Sequence, residues 1–342
     1  MAATFSLFSP AELSFSSVPL SFSTSLAHPA DDQPLRPDGR LPLQYRDILL
    51  QTAVSQAQGA LGSAKVVVED AAGTGGAAST EIWAGVRGEV ESVAPGQTGG
   101  KIVVGLECAP TALPSLKPEL PLHLASLLTS LFSSSSLPPA LLSQLAVIPG
   151  SKAWTLYLDV LILSSAGGNL IDLSVLAARS ALANVRLPQT RSIGFDDDDD
   201  DNDDDDSAAG EAKMEGTGTA MTQDEGFSGL VKGGKAGKNA VDFELVDGGE
   251  RGVRLHAWQD LPISITFDLI NQLPHLDSTA LESAASPTSL TVSILPSSGT
   301  ICGLTQLGEG ELEHPRIMPL VKEGAKFAEE LAKAMNLKLK DA

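Results

Sequence analysis

Cysteine, aromatic residues and long apolar runs are all scarce in this chain of 342 residues. Its two cysteines, Cys108 and Cys302, lack the spacing of a zinc site or of a disulfide framework. Aromatic side chains make up 4% of the residues and the formal net charge is −20, which argues against a basic nucleic-acid-binding domain. No apolar run reaches the roughly 20 residues that cross a bilayer. The composition therefore predicts a soluble globular chain in a reducing compartment.

Half of the net negative charge lies in one segment. Ten aspartates occur between Asp196 and Asp206, interrupted only by Asn202. The surrounding residues are rich in glycine and poor in apolar side chains, so they bury too little surface to offset the entropy of ordering. We expect a disordered acidic, Gly-rich insertion over residues 191–238. Because the rest of the chain is only mildly acidic, charge alone does not exclude contact with RNA.

A short helix is predicted in the N-terminal extension, residues 1–34. Ser9 is a residue of the N-cap type, Pro10 suits the first helical position, and Glu12 follows the serine by three residues. This is the signature of a capping box, in which the Ser and Glu side chains bond the free backbone N–H groups of the first turn. The spacing therefore predicts a helix that begins at Pro10.

The remaining sequence divides into two halves in which strands are followed by a helix. Apolar stretches between Gly-rich turns fill residues 46–108, which predicts an antiparallel sheet. The later predicted elements are a helix over 119–132, a strand over 154–163, a helix over 170–184, four strands between 241 and 304, and a helix over 315–337. Because helices follow groups of strands, we expect one α+β domain in two parts, residues 35–190 and 239–342.

Three segments carry a resemblance to a known family. The first reads Leu-Arg-Pro-Asp-Gly-Arg over residues 35–40, and the third ends in Gln-Leu-Gly-Glu-Gly over 306–310. The second is the most specific: it runs from Trp154 through a Gly-Gly-Asn turn to Pro188. In combination they resemble the RNase PH-like ring subunits of the eukaryotic exosome. Within that family the chain looks most like the branch that accompanies the catalytic subunit in archaeal rings without itself cleaving RNA.

This resemblance implies an RNase PH-like fold made of two sheet-and-helix halves. It also implies a structural subunit that supports 3′-to-5′ RNA degradation and processing, including rRNA maturation and mRNA turnover, by scaffolding and RNA channelling. The implied partners are other RNase PH-like subunits in a hetero-hexameric ring, cap subunits, an associated hydrolytic nuclease, and RNA. The implied location is the nucleus and nucleolus, and also the cytoplasm.

Three departures from the active members of the family predict that the chain is not an enzyme. Phosphorolysis needs cations that hold inorganic phosphate and carboxylates that position the reacting groups. Where active relatives carry an Arg pair, this chain has Lys117 as a single cation, with an acidic residue two positions later. Ser164 and Ser165 stand where a second carboxylate is needed with Asp159, and Asn169 replaces a Thr. We therefore assign no catalytic residue, and treat Asp159, Ser164, Ser165 and Asn169 as positions of a degenerate site.

The sequence also offers candidate RNA contacts. These are the cationic residues of the first segment and of the position where the Arg pair is missing, namely Arg36, Arg40, Arg46 and Lys117. An ordinary turn is the simpler interpretation of residues 38–40, because Asp-Gly is a common turn pair. We expect a turn at residues 167–169 as well, since the spacing of a phosphate-binding glycine loop is absent. Asp159, at a strand end, and Asp172 are expected to be structural.

Two other classes of function stay open at this point. The first is an active phosphorolytic 3′-to-5′ exoribonuclease, and the second is a stand-alone acidic binding module with no ring. The five histidines are scattered singly along the chain without ligand spacing. We therefore predict no bound metal and no cofactor.

Overall fold

The computed structural model describes residues 8–18, 35–54, 59–69, 79–93, 99–110, 112, 119–194, 240–246 and 252–340. Within them the helices are α1 (Pro10–Ser17), α2 (Glu119–Leu131), α3 (Pro139–Gln144), α4 (Leu170–Ala183), α5 (Ala280–Ala285) and α6 (His314–Lys340). The strands of the first half are β1 (Ile48–Thr52), β2 (Gly62–Glu69), β3 (Ser79–Ser92), β4 (Lys101–Cys108), β5 (Ala146–Ile148), β6 (Lys152–Ser165), β7 (Arg186–Pro188) and β8 (Thr190–Gly194). Those of the second half are β9 (Ala240–Leu245), β10 (Gly252–Arg254), β11 (Ile263–Ile270), β12 (Leu273–Leu276), β13 (Thr288–Leu295) and β14 (Thr300–Gly308).

Two main sheets organise the molecule. The first has the strand order β1-β2-β3-β6-β4, with β5 paired to one end of β6. The second is antiparallel with the order β12-β11-β13-β14. Two small pairs, β7 with β10 and β8 with β9, connect the halves. This α+β architecture agrees with the fold class expected from the sequence.

The first sheet is mixed, so the prediction of a purely antiparallel sheet is wrong. Strands β1, β2 and β3 pair antiparallel, but β4 pairs parallel with β6 in a register that places Gly105 beside Asp159. Two helices, α2 and α3, lie between β4 and β6 along the chain. Such a crossover lets the chain return in the same direction, which a short turn does not allow.

Helix α4 lies between the two sheets. It packs on β2, β3 and β6 on one side and on β11 of the second sheet on the other, while α6 packs on β11 and β13. Consequently almost all of α4 is buried, and its small side chains at Ala177, Ala178 and Ala181 are 0% exposed. The order of layers is therefore first sheet, α4, second sheet and α6, around one continuous apolar core.

The boundary of the predicted insertion differs from the expectation. Residues 195–239, which include the aspartate run, lie outside the described residues, so the prediction of disorder there stays a prediction. Residues 191–194 belong to strand β8, which pairs antiparallel with β9. Backbone pairing with a strand on the far side of the insertion supplies hydrogen bonds that local composition does not reveal.

Capping boxes begin two of the helices. In α1 the amide of Glu12 donates to Ser9 and the amide of Ser9 donates to Glu12, which confirms the predicted start. The same reciprocal pair, Thr279 with Glu282, begins α5. Helix α5 was not predicted although its signature is the same, because only six residues follow its cap. Within the described ranges, no helix is long and apolar enough to cross a membrane.

The packing of α4 on β2 leads to a first prediction. A Cβ atom at Gly62 would lie 2.6 Å from the carbonyl oxygen of Ala181 and 2.8 Å from the amide nitrogen of Val185. We expect Gly62→Ala to lower the free energy of unfolding by about 1–3 kcal/mol, because the backbone of α4 has to shift. Equilibrium urea unfolding measures this change.

Gly85→Ala is the matched control. Gly85 lies on the neighbouring strand β3, and nothing lies within 4 Å of an added Cβ atom there. We expect its unfolding free energy to stay within about 0.5 kcal/mol of the wild-type value. Equal losses in the two variants would contradict the close approach of α4 to β2.

Candidate functional site

Arg36, the first predicted RNA contact, is fully buried. Its Nε donates to Oε1 of Glu282 at 2.8 Å, and its Nη1 donates to the carbonyl oxygen of Leu276 at 2.7 Å. A second ion pair joins its Nη2 to Oε2 of Glu282, and its side chain is 0% exposed. The guanidinium therefore ties the segment before β1 to the start of α5.

Arg46 is held in the same way by a second carboxylate. Its Nε donates to Oδ2 of Asp277 at 2.9 Å and its Nη2 donates to Oδ1 at 2.8 Å, which is the bidentate geometry that suits Arg and a carboxylate. Its Nη1 also donates to the carbonyl oxygen of Gly167 at 2.7 Å. Arg46 thus joins the segment before β1, the turn before α4 and the segment after β12.

Arg40 lies at the edge of this cluster. Its Nε donates to Oδ2 of Asp38 at 2.6 Å and its Nη1 donates to the carbonyl oxygen of Asp277 at 3.2 Å. The amide of Arg40 donates to Oδ1 of Asp38 at 3.0 Å, and Gly39 has a φ of 82°, so residues 38–40 form the turn that the simpler interpretation predicts.

The RNA contact of these arginines stays a prediction, and the burial of Arg36 and Arg46 in the folded chain argues against it. Their side chains are 0% and 4% exposed, and each is bonded to a buried carboxylate. Arg40 is 12% exposed and is also directed at Asp38 and Asp277. Basic residues at a surface turn suggest RNA contact, but the carboxylate partners of Arg36 and Arg46 lie more than 230 residues away in the sequence. Lys117, the fourth candidate, lies outside the described residues.

The cations of the cluster keep its carboxylates ionised. Burial by itself raises the pKa of Asp277, but its hydrogen bonds to Arg46 and the charge of Arg46 outweigh burial, so the pKa lies below its ordinary value of 3.8. Burial also raises the pKa of Glu282, but the hydrogen bonds and charge of Arg36 outweigh burial, so this pKa lies below its ordinary value of 4.5. We call Arg36, Arg40, Arg46, Asp277 and Glu282 the arginine–carboxylate cluster.

The turn before α4 belongs to this cluster too. Asn169 has a φ of 52° and its Nδ2 donates to Oδ1 of Asp277 at 2.8 Å. Gly168 has a φ of 77°, and a Cβ atom there would lie 2.5 Å from the amide nitrogen of Ala280. The Oγ1 of Thr80 donates to the carbonyl oxygen of Gly168 at 2.8 Å. The predicted turn is confirmed, and its side chain at Asn169 faces an internal carboxylate.

Asp159 lies on the open face of the first sheet, opposite the face that α4 covers. It occupies the middle of β6, so its predicted place at a strand end is wrong. Its Oδ2 accepts hydrogen bonds from Nη2 and Nε of Arg87, at 3.0 and 3.2 Å. The two side chains are 55% and 61% exposed. Asp159 is therefore far less buried than the carboxylates of the arginine–carboxylate cluster, and its partner is a neighbouring strand rather than backbone.

The two serines of the degenerate site are used in backbone contacts. The Oγ of Ser164 donates to the carbonyl oxygen of Ser79 at 2.6 Å, and the Oγ of Ser165 donates to the carbonyl oxygen of Ala112. Hence the four predicted positions do not form one pocket: Asp159 is on the open face, the serines bond the backbone of neighbouring segments, and Asn169 joins the cluster. Within the described ranges, no group of three or more His, Cys, Asp or Glu residues is placed to hold a metal ion.

Asp172 is a buried carboxylate at the interface of α4 with the second sheet. Its Oδ2 accepts from the amide of Thr266 at 2.9 Å and its Oδ1 accepts from Oγ1 of Thr266 at 2.7 Å. The expected structural role is confirmed by these bonds. Burial raises the pKa of Asp172 to about 7 against these hydrogen bonds, and the charges of Asp277 and Asp268 raise it further.

Comparison with known proteins finds a family that the first half of the chain resembles. Residues 44–188 match the RNase PH model, described as the 3′ exoribonuclease family, domain 1. The matched range contains Arg46, Asp159 and the Gly-Gly-Asn turn, while Arg36 and Arg40 precede it. This part of the chain is therefore similar to domain 1 of that family, in agreement with the resemblance seen in the sequence.

The curated relatives that the chain matches are archaeal exosome components. The chain is 36% identical over 166 residues to the exosome complex component Rrp42 of Sulfurisphaera tokodaii, which covers 47% of this chain and 55% of that protein. It is 33% identical over 167 residues to the Rrp42 component of Thermoplasma volcanium, covering 47% and 58%. The chain thus spans a little over half the length of the curated relatives it matches.

The fold extends beyond the matched sequence. A solved chain of the Archaeoglobus fulgidus exosome with RNA bound to the active site covers 88% of this chain and 92% of its own length, with a TM-score of 0.59 and 21% identity. A chain of an archaeal exosome core covers 90% and 91%, with a TM-score of 0.55 and 20% identity. The two sheet-and-helix halves therefore have the RNase PH-like fold.

The arginine–carboxylate cluster generates a prediction of its own. We expect Asp277→Asn to lower the free energy of unfolding by about 3–5 kcal/mol, because it leaves the buried guanidinium of Arg46 without its anion. Asp159→Asn, which breaks an exposed Asp–Arg pair, should cost less than about 1 kcal/mol. Urea unfolding of both variants at neutral pH measures the difference, and comparable losses would show that the buried cluster does not hold the halves together.

The raised pKa of Asp172 predicts that the free energy of unfolding falls as the pH rises, whereas a carboxylate in an ion pair has the opposite effect. Its pKa is about 7 in the folded protein and near the ordinary value of 3.8 when unfolded, so the folded state binds the extra proton between these values. The stability contributed by protonated Asp172 is therefore lost as the pH rises from about 4 to about 7. We expect wild type to lose stability relative to Asp172→Asn between pH 5 and pH 8, measured by urea unfolding. A constant difference between the two proteins would contradict this assignment.

Proposed function

We propose that the chain is a structural, non-catalytic subunit of an exosome-type ring. In that role it supports 3′-to-5′ RNA degradation and processing, including rRNA maturation and mRNA turnover, by scaffolding and by channelling RNA. The similarity to Rrp42 exosome components and the RNase PH-like fold support the ring, and the residues of the chain itself support the absence of catalysis.

The observation that carries the proposal is that the arginines before β1 are buried rather than exposed. A phosphorolytic site needs accessible positive charge to bind inorganic phosphate and the RNA backbone. Arg36 and Arg46 are instead buried against Glu282 and Asp277, and Arg40 bonds the same segment. Their charge stabilises the joint between the two halves, where neither phosphate nor RNA reaches it.

The carboxylate side of the site supports the same conclusion. Positions 164 and 165 carry hydroxyl groups that donate to backbone carbonyls. Leu161 follows Asp159 on the open face of β6, so Asp159 has no second acid two residues along the strand. One exposed carboxylate, already paired with Arg87, does not provide the pair of acids that the resemblance associates with activity.

The proposed partners are those that the family resemblance implies. They are other RNase PH-like subunits in a hetero-hexameric ring, cap subunits, an associated hydrolytic nuclease, and RNA. We place the protein in the nucleus and nucleolus and also in the cytoplasm, where such complexes would mature and degrade RNA. Because the matched part covers little more than half of the Rrp42 relatives, these partners and places belong to the proposal.

One observation favours the rival proposal of an active phosphorolytic exoribonuclease. Asp159 and Arg87 lie together on an exposed sheet face, 3.0 Å apart, so a carboxylate and a cation are both accessible there. A single Arg paired to an acid is a weak anion site, since the acid neutralises its charge. The structural proposal therefore explains more of the chain, and activity is the measurement that separates the two.

The test is an affinity purification of the tagged full chain followed by an activity assay. We expect stoichiometric recovery of other RNase PH-like chains. We also expect the chain purified alone to release no nucleoside diphosphate from the 3′ end of RNA when inorganic phosphate is added, because it has Lys117 where active relatives carry an Arg pair.

Asp159→Asn is the control for the assay. Any phosphorolysis by the recovered complex should be unchanged by this substitution, since a partner would then supply the active residues. Phosphate-dependent turnover by the chain alone that Asp159→Asn abolishes would establish the rival enzyme. Recovery of a lone monomer would instead support the stand-alone binding module.

A further inference from the structure

Strand β14 forms an exposed edge of the second sheet. Its nine residues, Thr-Ile-Cys-Gly-Leu-Thr-Gln-Leu-Gly, contain neither a charged residue nor a proline, although 19% of the chain is charged. Within the described part of the chain it pairs only with β13. Its outer N–H and C=O groups are therefore free to pair with another strand. Natural proteins usually protect such an edge with charge, proline, a bulge or a short strand.

The other three edges of the two main sheets carry that protection. Strand β4 has Lys101 and Glu107. Strand β12 has four residues, one of which is Pro274, and the amide of Leu276 donates to the carbonyl oxygen of Pro42. Strand β1 has five residues and is followed by Ala53, whose φ of 54° ends the strand. Strand β14 has a bulge at Cys302, where its register with β13 shifts, but it is a long edge without charge or proline, and residues 303–308 pair regularly with β13.

One face of β14 is covered by the protein and the other is open. On the covered face, a Cβ atom at Gly303 would lie 3.1 Å from Leu131 of α2. On the other face, Leu304 is opposite Val292, which packs against Gly324 of α6. Helix α6 covers Val292 but leaves Leu304 50% exposed, and Ile301 is 47% exposed. Ile301 and Leu304 therefore form an exposed apolar surface beside the unpaired backbone edge of β14.

We propose that β14 is the surface through which an edge strand of a different RNase PH-like chain adds to the second sheet. The partner's backbone pairs with the outer N–H and C=O groups of β14, and its apolar side chains cover Ile301 and Leu304. This inference rests on the proposed ring function and names the contact by which a ring neighbour is held.

Charge decides in favour of a different chain over a second copy. Strand β14 is followed by the exposed residues Glu309, Glu311 and Glu313. A second copy would bring another net charge of −20, and two chains of like net charge repel each other. The partner strand therefore carries Lys or Arg residues near the end of β14 that leads into these glutamates.

The experiment compares two lysine substitutions in the tagged full chain. Leu304→Lys places an ammonium group in the proposed contact, and Leu49→Lys does the same on β1, where Leu49 is 51% exposed. We expect Leu304→Lys to reduce the recovery of one RNase PH-like neighbour by at least about tenfold, because burying an unpaired charge is costly. Leu49→Lys should leave that recovery unchanged. Unfolding curves that match wild type show that both variants fold.

Hydrogen exchange of the wild-type complex gives an independent measurement. Amides of residues 300–308 should become protected when the identified neighbour is bound, compared with the chain alone. Unchanged exchange there, or equal loss of the neighbour in both lysine variants, would overturn the proposal for β14 while leaving the ring proposal intact. Protection of β14 by an untagged copy of this chain would overturn the choice of partner. Recovery of no RNase PH-like chain with wild type would overturn the ring itself.

Discussion

The bidentate bond between Arg46 and Asp277 is the interaction on which the joining of the two halves depends. It connects the segment before β1 to the segment after β12, and through Gly167 and Asn169 it also fixes the turn that begins α4. Because both charges are nearly inaccessible to water, each requires the other. Helix α4, which lies between the sheets, is thereby placed by electrostatics at its start and by apolar packing along its length.

This arrangement explains why basic residues can be present without serving a phosphate site. The same guanidinium groups that would bind RNA on a surface here neutralise Asp277 and Glu282, whose pKa values they keep low against burial. On the open face of the first sheet, Asp159 forms an exposed ion pair with Arg87. At the edge of the second sheet, strand β14 has no charged residue. In this fold the internal cations therefore serve stability, and the exposed surfaces are separate from them.

Local patterns predicted most of the elements, and their physical basis is short in range. The Ser9 and Glu12 spacing predicted α1, and the leucine period predicted α2, because caps and helical faces are set by residues three or four apart. Longer-range features were missed. The parallel pairing of β4 with β6 depends on the crossover between them, and the strand at residues 191–194 depends on a partner beyond the insertion.

In the candidate site, too, the sequence determines local features and the tertiary structure determines long-range contacts. The sequence by itself determined the residue types: one aspartate in β6, serines where a second acid is absent, a Gly-Gly-Asn turn, and arginines before the first strand. Only the tertiary structure decided what those residues contact. Arg36 and Arg46 find their carboxylates more than 230 residues away, and burial makes these pairs obligatory, since an unpaired charge in the interior is far more costly than one in water.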